Sequence, residues 1–223
     1  MFSSQQPSET INVSDAIRPP FDANWSARRK LADALRQFNE MLLTRDVPTA
    51  ALQDATDRIL SETARITELP RVLGRHGHGQ RHADRGENMK DVLYEISPST
   101  GMSNANSVPT HLWNDHGTVR GIAQPGWSQE GPVGCVHGGV IALILDQLFG
   151  VAQRTCGKPG HTGTLTIRYN KFTPLNVPLH LEASIVRNEG RKNFIHGSIS
   201  VDGVRTVECH AIFIMDKAHA APK

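Results

Sequence analysis

Aromatic residues are scarce in this chain, 5% of 223 positions, and cysteine is scarcer still at 3. The first scarcity leaves aliphatic side chains to build any core, and a hydrophobic content of 38% allows a modest one. Cys135, Cys156 and Cys209 are widely spaced, odd in number and form no Cys-x-x-Cys pair. That pattern argues against a disulfide framework and for reduced thiols in a cytoplasmic protein. An excess of either charge is also missing. The 24 Lys and Arg against 22 Asp and Glu leave a formal charge of +2, which gives no reason to expect nucleic acid or an anionic membrane as partner. The longest apolar segment falls short of the ~20 residues of a membrane-spanning helix. "MFSSQQPSETINVSD" lacks the basic start and apolar run of a secretory signal. These absences predict a soluble cytoplasmic protein made of one large domain, or of one domain with an extension.

Residues 1–22 are polar, with Pro7, Pro19 and Pro20, and read as a tail. From Asn24, a plausible N-cap, Leu31, Ala34, Leu35, Phe38 and Leu42 recur at helical steps. After "RDVP" a second helical pattern runs through Leu52, Ala55, Ile59 and Ile66. Together they predict a helical hairpin to about Glu68 whose apolar stripes cover another surface. Residues 70–92 turn abruptly to glycine, histidine and charge, which predicts a solvated, mobile loop. His76, His78 and His82 lie there without cysteine or patterned carboxylates, so no metal is expected at them, and no cofactor anywhere. Hairpin and loop form an extension over 23–92, the main domain spans 93–216, and 217–223 is a C-terminal tail.

Residues 98–116 are rich in Ser, Asn and Pro and read as irregular. Beyond them the texture is β with one helix. "TVRGIAQ" alternates weakly, and "GTLTIRYNKF" sets Leu165, Ile167 and Tyr169 against Thr164, Thr166 and Arg168. Three more strands follow in an antiparallel meander, with turns at "NEGR" and "VDG". No strand–helix–strand rhythm appears, so the fold class is α+β, with a helix packed on an antiparallel sheet.

That helix carries the most informative stretch, "GCVHGGVIALILDQLFGVA" from Gly134 to Ala152. Behind His137, Gly138 and Gly139 the residues are apolar or glycine except for Asp146 and Gln147. An unpartnered carboxylate in an apolar setting is costly, so Asp146 is either compensated or used. The two glycines bring backbone N–H groups close to whatever sits at the helix N-terminus, which suits an anion or the developing charge on a carbonyl. Eight residues of helix separate Gly138 from Asp146 by about 12 Å, too far for one carbonyl to touch both. Two antiparallel helices across a dimer interface would bring Asp146 of one chain to Gly138 of the other.

"EGPVGCVHGGVIALILDQLFGVA" followed by "TGTLTIRYNKFTPLNVPL" resembles the hotdog-fold acyl-CoA thioesterases, in their PaaI-like branch, over about residues 117–215. The resemblance implies an antiparallel sheet wrapped around a long central helix, and protomers that join their sheets in a dimer or a dimer of dimers. It implies hydrolysis of an acyl-CoA. Asp146 matches the acidic catalytic residue, as general base or nucleophile. Gly138 matches the oxyanion donor, with His137 holding the turn. Thr162, sixteen residues past Asp146, matches a threonine that orients the water or the carboxylate. Gly139 joins the substrate-binding turn, and Arg191 and Lys192, after a turn glycine, are candidates for the CoA phosphates. A non-catalytic acyl-CoA binder or sensor would use the same groove, although binding alone has no need of Asp146. A hotdog dehydratase would favour a histidine on the helix instead.

Overall fold

A computed structural model describes residues 22–86, 89–156 and 160–215. The expected tails, apart from Asp22, lie outside these. Six strands form one antiparallel sheet in the order β1-β2-β4-β5-β6-β3: β1 (Thr110–Asp115), β2 (Thr118–Ala123), β3 (Gly160–Tyr169), β4 (Leu179–Glu189), β5 (Lys192–Val201) and β6 (Val204–Met215). The sheet curls around α5 (Gly138–Ala152), which touches β2, β3, β4 and β5. Ile141, Ile144, Leu145, Leu148 and Phe149 on α5 meet Leu179, Leu181, Ile195, Ile199 and Val207 from the strands, and all are buried. Aliphatic residues alone nearly fill this core, as the scarcity of aromatics requires. Gly197 admits the Phe149 ring where a Cβ would collide with Cε1, so β5 closes directly onto the helix.

The meander and its turns agree with the sequence reading: Asp202 and Gly203 both have positive φ (49° and 77°), the backbone of a tight hairpin. The segment read as irregular, 98–116, instead contains β1, joined to β2 by a second such turn at His116 and Gly117 (φ 49° and 90°). This edge strand is short and follows Pro109, which hid it from a pattern search.

At the N-terminal end, α1 (Ala23–Thr44) and α2 (Thr49–Thr67) match the two predicted helices. The cap is Asp22 rather than Asn24; its carboxylate accepts from the Trp25 N–H at 2.9 Å. The stripes do not behave as expected. Leu31, Leu35, Phe38 and Leu42 are exposed, and α1 docks through a different side, where Trp25 and Ala32 are buried. Polar anchors fix that side: Arg29 forms a two-pronged pair with Glu95 at 2.7 and 2.6 Å, and Arg36 donates to the Asn104 carbonyl at 2.9 Å. Helix α2 buries none of its residues.

The expected loop at 70–92 is largely helical, with α3 (Gly74–Ala83) and α4 (Met89–Glu95), and α4 runs across the 92/93 boundary. Three glycines make α3 intrinsically poor, so tertiary contacts must hold it. His82 is 7% exposed and accepts from the Trp25 indole N–H at 3.0 Å, while Gly79 lets Met89 approach. His82 is therefore a core residue and not part of a solvated loop.

Candidate active site

The His137 turn is held from several directions. Its N–H donates to the Gln129 carbonyl at 2.8 Å, its Nδ1 accepts from the Gly139 N–H at 2.9 Å, and its carbonyl accepts from Val140 and Ile141. His137 is thus the N-cap of α5, and an Nδ1 that accepts is not free to act as a base on substrate. Among the first four N–H groups of α5, the Gly138 N–H has no acceptor among the described residues. An open N–H at the positive end of a helix is a ready donor to a carbonyl oxygen.

The lead-in to the turn is equally fixed. Glu130 accepts from the Gly134 N–H at 2.7 Å, and Gly134 has a φ of 70°. Gly131 lies so close to His137 that a Cβ there would sit 2.7 Å from Cα of His137. Glu40 of α1 accepts from the backbone N–H groups of Trp127 and Ser128 at 2.6 and 3.0 Å. The extension thereby grips the loop whose Gln129 carbonyl holds His137.

A cavity of about 630 Å³ opens beside Gly138, lined in part by Val136, Ile141, Tyr169 and Phe172, with Lys171 supplying a cation. The Tyr169 hydroxyl donates to the Gly138 carbonyl at 2.9 Å. Burial, and then the neighbouring Cys209, push its phenol above the usual range, so it stays a donor.

Asp146 lies on the side of α5 that the sheet does not cover, a stripe running through Gly139, Leu143, Asp146 and Gly150. Leu143 on that stripe is 39% exposed, and nothing stands within 4 Å of a Cβ added at Gly150. The carboxylate Oδ1 accepts from the Thr162 hydroxyl at 2.8 Å. A bulge in β3 between Thr162 and Thr164 shifts the register against β6, and bulges of this kind re-aim a side chain. Gly163 occupies the bulge, where a Cβ would stand 2.9 Å from Ile214 Cγ1. Cys209, fully buried, has its thiol pushed up to about 12 by burial and by the charge of Asp146.

The structure thus joins Asp146 with Thr162, and Gly138 with His137 and Gly139, as two clusters on one helix. Arg191 and Lys192 belong to neither. The Arg191 guanidinium donates twice to the Met215 carbonyl, at 3.0 and 2.8 Å, and neither residue lines the cavity at Gly138. Sequence reasoning missed Tyr169 and Lys171 as site residues; the signal available was their position at the end of the alternating strand, Tyr169 as its last residue and Lys171 two residues on.

A six-stranded antiparallel sheet curled around one long helix, with a glycine turn at the helix N-terminus, is the hotdog fold. A solved thioesterase superfamily protein is 32% identical, covers 94% of this chain and 98% of its own, and superposes with a TM-score of 0.75. The chain belongs to the thioesterase superfamily. No family model matches it. It is also similar to the acyl-coenzyme A thioesterase THEM4 of Xenopus laevis, 36% identical over 96 residues. That match takes in 42% of this chain and 43% of the relative, so less than half of the relative's length is represented.

Proposed function

We propose that this protein hydrolyses an acyl-CoA thioester to the free acid and CoA, as a cytoplasmic homodimer or dimer of dimers of the PaaI-like branch. The observation that carries the reading is the open Gly138 N–H at one end of α5, with the Thr162-bound carboxylate of Asp146 further along the same helix. About 12 Å of helix separates them, so the working site takes Gly138 from one protomer and Asp146 from the other. Two features favour that pairing. Strand β3 is at the edge of the sheet, with a run of exposed side chains, and an open edge is a template for a second strand. The uncovered stripe of α5 includes Leu143, an apolar residue suited to a facing helix.

In this arrangement the thioester carbonyl oxygen accepts from the Gly138 N–H, which stabilises the oxyanion as it forms. Asp146 takes a proton from water, and the water oxygen bonds to the carbonyl carbon. Collapse of the oxyanion breaks the C–S bond, and the CoA sulfur leaves with the proton held by Asp146. In direct attack, Asp146 bonds to the carbonyl carbon and expels the CoA thiolate, and water then hydrolyses the mixed anhydride to the free acid and the restored carboxylate; the Thr162 hydroxyl steadies the carboxylate in either course. The cavity beside Gly138 is mostly apolar and suits an acyl or pantetheine chain, with Lys171 better placed for an anionic group than Arg191.

The test is release of free thiol from a panel of acyl-CoAs of increasing chain length, and the reading expects turnover on at least one class. Saturable acyl-CoA binding without thiol release would favour the binder or sensor instead.

A further inference from the structure

The outer face of the sheet carries a cluster unconnected with thioester chemistry. His196 on β5 stands directly opposite His210 on β6, and their ring centroids are 4.8 Å apart. Glu208 lies two residues before His210, so its side chain shares that face. The His196 Nε2 is 3.1 Å from Glu208 Oε1, and one potential ligand atom from each of the three residues lies within 4.8 Å of the others. Residue 197 between them faces Phe149 of α5, so the three point away from the helix and from Asp146.

We propose that His196, Glu208 and His210 form a divalent transition-metal site of a kind that takes zinc. Two imidazoles and a carboxylate are the borderline donors that zinc prefers, at about 2.0–2.2 Å from the ion. Donors around a tetrahedral zinc lie about 3.4 Å apart, so modest side-chain rotation closes the present spread. The backbone needs no change. β5 lies between β4 and β6, and β6 between β5 and β3, so both strands are held on each side and the ligand set is largely preorganised.

Charge around the site is compatible. Glu208 already meets His196 through Oε1 at 3.1 Å, so its carboxylate oxygen is held on the side of the imidazole pair. Arg205 is 3.8 Å from Glu208 and 3.9 Å from Glu182, which gives that guanidinium a second carboxylate when Glu208 turns to a cation. His196 and Glu208 are 28% and 30% exposed, so water can complete the coordination and the metal can exchange. An ion bridging β5 and β6 binds the folded chain alone and raises its unfolding temperature.

The experiment adds zinc chloride to the full chain after chelator treatment, and follows binding by calorimetry and unfolding by circular dichroism. The result expected is one zinc per chain at micromolar concentration, a higher Tm, and an affinity reduced roughly ten-fold or more in His210→Ala and in Glu208→Gln. Both substituted side chains are at least partly exposed, so the apo fold should persist, and thiol release from acyl-CoA should be unchanged. His78→Ala serves as the control for the α3 histidines and should bind as the parent does. Absence of stoichiometric binding, binding that survives both substitutions, or loss in His78→Ala would each overturn the proposal.

Discussion

Thr162 and Asp146 meet at 2.8 Å across the gap between β3 and α5, where β3 carries a single extra residue against β6. The hydroxyl donates to a carboxylate that is otherwise on the uncovered side of an apolar helix. The contact links a strand bulge to the chemistry assigned to Asp146.

If Asp146 is the base or nucleophile, Asp146→Ala should lower kcat by roughly 10²–10⁴-fold while Tm and oligomeric state hold. Asp146→Asn should be as inactive and should retain acyl-CoA. Steady-state thiol release together with equilibrium substrate binding checks both, and near-normal turnover in either variant would remove Asp146 from the mechanism.

Thr162→Val keeps the side-chain shape and deletes the donor. A hydrogen bond to a charged acceptor is worth about 1.5–3 kcal/mol, so a fall of roughly 10- to 100-fold in kcat is expected, with Thr162→Ser recovering most of it. An unchanged kcat in Thr162→Val would mean that the hydroxyl serves only the strand.

Part of this arrangement is legible in the sequence and part is not. Periodicity is enough for α5 and for β3 to β6, because Leu145, Leu148 and their strand partners face one core. The glycine turn can be read because local geometry fixes it, whereas Thr162 is marked as a partner of Asp146 only by the resemblance to the hotdog thioesterases. Helix α3 cannot, since its glycines and histidines look like a loop until Trp25, 57 residues before His82, bonds to it. The side chosen by α1 is hidden for a similar reason. Its apolar stripe is the stronger signal, yet the distant partners Glu95 and Asn104 select the face carrying Arg29 and Arg36. Arg191 and Lys192 stand out in the sequence by following a turn glycine, whereas the place of Lys171 beside the cavity depends on the chain returning to Gly138.

Arg29 is one anchor of the extension, and Glu95 is 4% exposed in their ion pair. Removing one partner of a buried pair strands the other charge, so Arg29→Ala should cost ~3 kcal/mol and lower the denaturation midpoint accordingly. A shortened chain beginning near Asp91 lacks the same partner and should lose solubility or stability as well. A midpoint unaffected by Arg29→Ala would mean that the extension is held by other contacts.

Cys209 links stability to alkaline pH. Its folded thiol is raised from 9.0 to about 12, so the unfolded chain loses this proton first as pH rises. Below about pH 9 the contribution is fully present, and between about 9 and 12 the folded state binds more protons, so stability falls. Denaturation midpoints measured across that window should decline less steeply in Cys209→Ala than in the parent. Equal slopes would show that the thiol does not titrate there.

The shared site is the central claim, and subunit mixing tests it most directly. One partner carries Asp146→Ala. The other carries Gly138→Pro, which removes the open N–H at a helix position where proline is otherwise tolerated. Each protein alone should be inactive. After subunit exchange, half of the dimers are mixed and each holds one intact site, so roughly a quarter of the parent activity should return. With exchange verified by mass and Gly138→Pro shown to fold, no recovery would contradict a site built from two chains.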